Sequence, residues 1–148
     1  MTATTKGPER TEHMVKVLRQ WQAIERESIN TMAEITETTE NSFIRMIMEI
    51  IRHDSLMHHR VQQFLIDSVT RENVNVSRED VAEIWERIEA HDKVERKTIE
   101  MAKALKEEAI SPIHKQLLDY LLTDESKHDS LIGQLEEMKK DMTRASGA

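Results

Sequence analysis

The chain contains no cysteine, and only three glycines, two prolines and 3% aromatic residues in 148 positions. Without cysteine there can be no disulfide scaffold, zinc ribbon, thiol nucleophile or cysteine-ligated iron centre, and a reducing compartment is compatible. Five glycines and prolines cannot supply the turns that a sheet protein of this length needs every ~8–12 residues. The formal charge of −7 leaves no basic stripe to neutralise phosphates, which argues against nucleic acid. No apolar run approaches the ~20 residues of a membrane span, and the N-terminal MTATTKGPER has no hydrophobic signal core. The expectation is an all-α cytoplasmic protein with no membrane or nucleic-acid partner.

What the chain does contain is helix-forming: one third of its residues are charged and 38% hydrophobic, with Glu, Ile, Met, Lys, Arg and Leu abundant. Apolar residues recur at helical spacing in four stretches. The first, through Val15, Leu18, Ile29, Met32 and Ile35, starts near Pro8 and is broken by TETTEN at 36–41. Asn41 caps the second, through Ile44, Ile47, Met48, Ile51, Val61 and Leu65. After the aperiodic RENVNV at 71–76, Ser77 and Asp80 form a capping-box variant ahead of Ile84, Ile88, Ile99, Ala102 and Leu105. Ser111-Pro112 opens the fourth, through Leu118, Leu121, Leu122, Leu131, Ile132 and Leu135. The spacing predicts helices over about 8–37, 42–69, 78–108 and 112–141, forming a single four-helix-bundle domain at 8–141. Disordered ends are expected at 1–7 and 142–148.

The two halves repeat at an offset of 70. Ile24-Glu25-Arg26-Glu27-Ser28-Ile29 aligns with Val94-Glu95-Arg96-Lys97-Thr98-Ile99, since 95 − 25 = 70. In the same register Asp54-Ser55-Leu56-Met57-His58 aligns with Asp124-Glu125-Ser126-Lys127-His128, and Asn41 with Ser111. The bundle therefore reads as two copies of one helical hairpin. On the apolar stripes, Glu25 lies with Leu18, Ile29 and Met32, and Glu95 with Ile88, Ile99 and Ala102. Ser55 and His58 lie with Ile47, Ile51 and Leu65; Glu125 and His128 lie with Leu118, Leu121, Ile132 and Leu135. Three carboxylates and two imidazoles are thus expected to point inward. Unpaired buried carboxylates cost several kcal/mol each, roughly, and a divalent cation would offset that cost. Carboxylate and neutral imidazole suit iron, manganese or zinc.

In this arrangement the chain resembles the ferritin-like di-metal carboxylate proteins, and within them the rubrerythrin-like branch without its rubredoxin domain. That family places one Glu on each of two helices and Glu-x-x-His on each of the other two. Glu25 and Glu95 match the single glutamates, Glu125 and His128 match a complete Glu-x-x-His, and His58 matches the second histidine. Ser55 stands where the pattern wants the second bridging Glu. The resemblance implies a metal site of Glu25, His58, Glu95, Glu125 and His128, holding one or two ions, with iron first and manganese or zinc as alternatives. Glu25 and His58 would hold one metal, Glu95 and His128 the other, and Glu125 would bridge. His91, one turn before Glu95, is an additional candidate ligand, with a partly buried boundary residue as its plainer reading.

If the metals are iron, the resemblance implies a di-iron oxidoreductase reducing peroxide or dioxygen. With no cysteine-ligated iron domain in the chain, its electron donor would be a separate protein. A homodimer is expected. The family topology also makes the second and third helices parallel. The linker would then span ~40 Å, which ten extended residues, reaching ~33–36 Å, barely miss. A crossover and a plain up-down-up-down bundle both stay open. The depleted bridge at Ser55 favours a different class, a non-catalytic helical interaction or dimerisation protein with a structural or vestigial metal site.

Overall fold

A computed structural model describes the backbone of residues 3–146 and the side chains of residues 7–142. It holds five helices: α1 (Ala3–Thr38), α2 (Ser42–Thr70), α3 (Arg78–Ala82), α4 (Trp85–Glu108) and α5 (Pro112–Ser146). No strand occurs among the described residues, and no described helix is long and apolar enough to cross a membrane. The chain divides into two compact units, Met1–Val74 and Asn75–Ala148. The first is the α1–α2 hairpin. The second is the α4–α5 hairpin, with α3 packed on α5.

The caps explain most of the boundaries. Asn41 has an extended backbone, and its Oδ1 accepts from the amides of Phe43 and Ile44, both at 3.0 Å, so α2 starts where the asparagine expectation puts it. At its other end the amides of Arg71 and Glu72 both turn back to the Asp67 carbonyl. The Ser77–Asp80 capping box is complete: the Asp80 amide donates to Ser77 Oγ at 3.1 Å, and the Ser77 amide donates to Asp80 Oδ2 at 2.9 Å. The Ser77 amide first, and then the Ser77 side chain, hold the Asp80 carboxyl below its ordinary value. The Ser111 carbonyl accepts from the Lys115 amide, which makes Ser111 the residue before α5 as its pairing with Pro112 implied.

Two boundaries differ from the expected ones. A single helix over 78–108 is instead two, because Ile84 leaves the helical well at φ −109°, ψ −4° and its amide bonds the Val81 carbonyl three residues back. Val81 and Trp85, four residues apart, are both buried, while Ile84 faces out. The outer helices also run past the expected ends at 8 and 141, to Ala3 and Ser146. Pro8 lies inside α1, where its fixed φ fits a helix while one amide donor is lost and the ring crowds the carbonyl four residues earlier. Residues 1–2 and 147–148, which belong to the expected disordered ends, lie outside the described residues.

Polar residues share the buried positions equally with apolar ones. Leu18, Ile66, Val81, Trp85 and Ala102 are buried, and so are Gln22, Glu25, Ser55, Gln62 and Glu95. In the first hairpin, Gln22 Nε2 donates to the His59 carbonyl at 3.3 Å and to Gln63 Oε1 at 3.1 Å. Arg19 Nη1 donates to both Gln22 Oε1 and Gln63 Oε1, and Gln63 Nε2 donates to Asp67 Oδ1. This amide ladder joins α1 to α2 along the same line that carries Glu25. The second hairpin is joined by ions instead: Arg96 reaches Asp129 at 3.6 Å and Lys106 reaches Asp119.

Candidate metal centre

Within the second hairpin, Glu95 of α4 meets Glu125 and His128 of α5. One donor atom from each lies within 4.8 Å of the others. His128 Nδ1 is 3.4 Å from Glu95 Oε1 and 3.9 Å from Glu125 Oε2. Donors bound to one first-row ion at ~2.0–2.2 Å are separated by roughly 3–4 Å, so both distances suit a shared cation. Glu95 is 6% exposed, and its Oε2 is buried with no hydrogen-bond partner. An ionised oxygen in that state is costly in the protein alone, and a cation held by this carboxylate would offset the cost. Glu125 and His128 are half-buried, so the cluster opens on one side toward solvent.

Contacts around the cluster come from the helix register. Thr98, one turn after Glu95, donates its hydroxyl to Glu125 Oε2 at 3.3 Å and to the Glu95 carbonyl at 2.7 Å. His91, one turn before Glu95, donates from Nε2 to Glu95 Oε1 at 2.7 Å, the carboxylate being acceptor-only. His128 Nε2 faces Asp124 Oδ2 of its own helix at 3.7 Å, and Lys127 holds Asp124 at 2.9 Å. One layer away, Asp92 is hydrogen-bonded to Asp129. That bond first, then burial and the Asp129 charge, raise the Asp92 carboxyl above its ordinary value, while Arg96 at 3.0 Å pulls it down.

The first hairpin repeats this geometry with fewer donors. His58 Nδ1 is 3.4 Å from Glu25 Oε1, the same separation as His128 from Glu95. Ser55, buried at the position of Glu125, donates its hydroxyl to Ser28 Oγ at 3.2 Å, where Thr98 meets Glu125 in the other copy. Arg26 donates to His59 Nε2 at 3.1 Å, as Arg96 reaches Asp129. At the position of His91 stands Trp21, whose indole Nε1 donates to Glu25 Oε1 at 3.1 Å. Each of these pairs of positions is 70 apart.

The inward placement expected of Glu25, Glu95 and Ser55 is found, whereas Glu125 and His128 are only half-buried and the His58 side chain, 58% exposed, reaches Glu25 from the hairpin's rim. Its longer side chain lets it touch a carboxylate its backbone does not bury. His91 stands beside Glu95 but outside the three-residue cluster. Sequence reasoning missed the contacts of Trp21, Ser28 and Thr98, although the offset that relates the glutamates relates these positions too. No family model, curated protein or solved structure matches the chain.

Proposed function

We propose that this chain is a metal-binding helical protein of ferritin-like type, with its principal site at Glu95, Glu125 and His128. The observation that carries the reading is the buried Glu95 carboxylate, with Oε1 3.4 Å from His128 Nδ1 and Oε2 unpaired, in one cluster with Glu125. Two carboxylates and one imidazole make a donor set that suits iron first, with manganese or zinc as alternatives. The two carboxylates match the charge of one divalent ion, and three protein donors leave open positions for water or a small oxidant. In this proposal the fold is a ferritin-like four-helix bundle of two duplicated hairpins, and Glu25 with His58 is the counterpart of the site in the first of them. Bound iron would supply redox chemistry toward peroxide or dioxygen, with electrons from a separate protein. The chain's own contribution is to orient the donors through Thr98 and His91, and to keep Glu95 away from water.

A second reading, a non-catalytic interaction or dimerisation protein, is favoured by one observation: the Ser55 hydroxyl is already engaged by Ser28 and offers no bridging charge. Elemental analysis of purified protein, and its melting temperature with and without a chelator, distinguish the two. The metal reading expects at least one transition metal per chain and a chelator-induced fall in melting temperature, since binding to the folded state stabilises it by mass action. Metal-free protein whose melting temperature ignores added iron, manganese and zinc would leave the interaction reading alone.

A further inference from the structure

We propose that His91 serves the site as a hydrogen-bond donor that positions Glu95, and does not bind the metal itself. The argument comes from the duplicated half. At the equivalent place in the first hairpin stands Trp21, which makes the same contact: indole Nε1 to Glu25 Oε1, 3.1 Å, from four residues earlier on the helix. His91 Nε2 reaches Glu95 Oε1 at 2.7 Å over the same four-residue step. An indole has one N–H and no ring lone pair to give a metal, so donation is the role that the two side chains share. Neither is buried: Trp21 as a residue is 50% exposed and the His91 side chain 61%. Both aim a donor at the one carboxylate of each hairpin that is buried.

The consequence lies in how Glu95 presents its charge. Oε1 takes the His91 proton, and Oε2 is left buried and without a partner. A carboxylate tethered at Oε1 cannot rotate freely, so its orientation toward His128, 3.4 Å from that oxygen, is fixed; such outer contacts change metal affinity by roughly 10–100-fold. His91 is therefore a positioning residue. Its imidazole also falls outside the group formed by Glu95, Glu125 and His128, as a residue acting through Glu95 should.

The inference rests on the metal reading above, and its test separates the two. Full-length protein carrying His91→Trp, His91→Gln or His91→Leu is titrated with Co(II), following the visible spectrum, and its imidazole ligation is counted by X-ray absorption. Trp and Gln keep a donor N–H, so both variants should retain the spectrum, the imidazole count and an affinity within about threefold of the parent. Leu has no donor and should lose roughly 10–100-fold in affinity with the imidazole count still unchanged. The melting temperatures of the metal-free variants show that each is folded. Loss of one imidazole ligand in all three variants would make His91 a ligand and overturn the proposal. Equal affinity across parent, Gln and Leu would overturn it by showing that the contact positions nothing. A parent protein that binds no Co(II), iron, manganese or zinc would sink the metal reading and this inference together.

Discussion

The two hairpins keep the same frame and differ in what it holds. In both, a buried glutamate on the first long helix lies 3.4 Å from a histidine Nδ1 on the next. In both, a donor four residues before that glutamate is bonded to its Oε1. At the position facing the glutamate, one copy has Ser55 and the other Glu125, and this single difference separates a pair of groups from a three-donor cluster. One layer on, neutral Gln22 in the first copy corresponds to Asp92 in the second, and His59 to Asp129. Negative charge has thus collected in the second hairpin at positions where the first is neutral. The comparison teaches that the contacts around a buried glutamate can recur at an offset of 70 residues while a three-donor cluster forms in one half only among the described residues.

The largest effect expected from breaking this asymmetry is at Glu125. Glu125→Ala leaves Glu95 and His128 as a two-donor remnant like Glu25 and His58, and metal content should fall to near background. Glu27→Ala and Glu100→Ala, both on exposed surface, should leave it unchanged. Equal metal loss in all three variants, measured by elemental analysis, would show that the cluster is not the site. The metal-free Glu125 variant should melt slightly higher than the parent, because a half-buried charge has gone.

The converse change is Ser55→Glu. A carboxylate there would lie beside the Ser28 hydroxyl as Glu125 lies beside that of Thr98, giving the first hairpin the second's donor set. The expected signature is a reversal of sign: lower stability without metal, from a second buried carboxylate beside Glu25, and higher stability and stoichiometry with it. A variant neutral in both forms would mean that position 55 cannot reach a metal.

The smallest effect is expected one layer away. The Asp92 carboxyl is raised above its unfolded value of 3.8, chiefly by its hydrogen bond with Asp129. A group raised on folding contributes most below its unfolded value, and that contribution is lost as pH rises through the folded one. Metal-free protein should therefore lose some stability on going from pH 4 toward neutrality at this pair. Asp92→Asn, which brings the position close to Gln22 of the other copy, should flatten that slope and raise the melting temperature at pH 7 by about 1–3 °C. An unchanged pH profile would show that the two carboxyl groups do not share a proton.

Much of this arrangement was legible in the residues. Asn41, Ser77 with Asp80, and Ser111 with Pro112 mark helix starts because capping depends on local chemistry that a sequence carries in full. Glu25 and Glu95 could be placed inward because they interrupt apolar stripes. Gln22 and Gln62 could not: on their own helices they read as polar surface, and for Gln22 it is the carbonyl of His59 and the amide of Gln63, on the facing helix, that make burial tolerable. The kink at Ile84 was hidden for a similar reason. No proline or glycine marks it, and Val81 and Trp85, four apart, fall on one face as they would on an unbroken helix.

The amide ladder of the first hairpin has a mechanical consequence. Gln22 is tied both to the backbone of His59 and to the side chain of Gln63, so sliding α1 along α2 by one turn would strand a buried amide from two partners at once. Because these groups are uncharged, salt does not loosen the grip, whereas the Arg96–Asp129 and Lys106–Asp119 ties of the second hairpin are weakened by ionic strength. The first hairpin is in effect a ratchet locked in a single tooth.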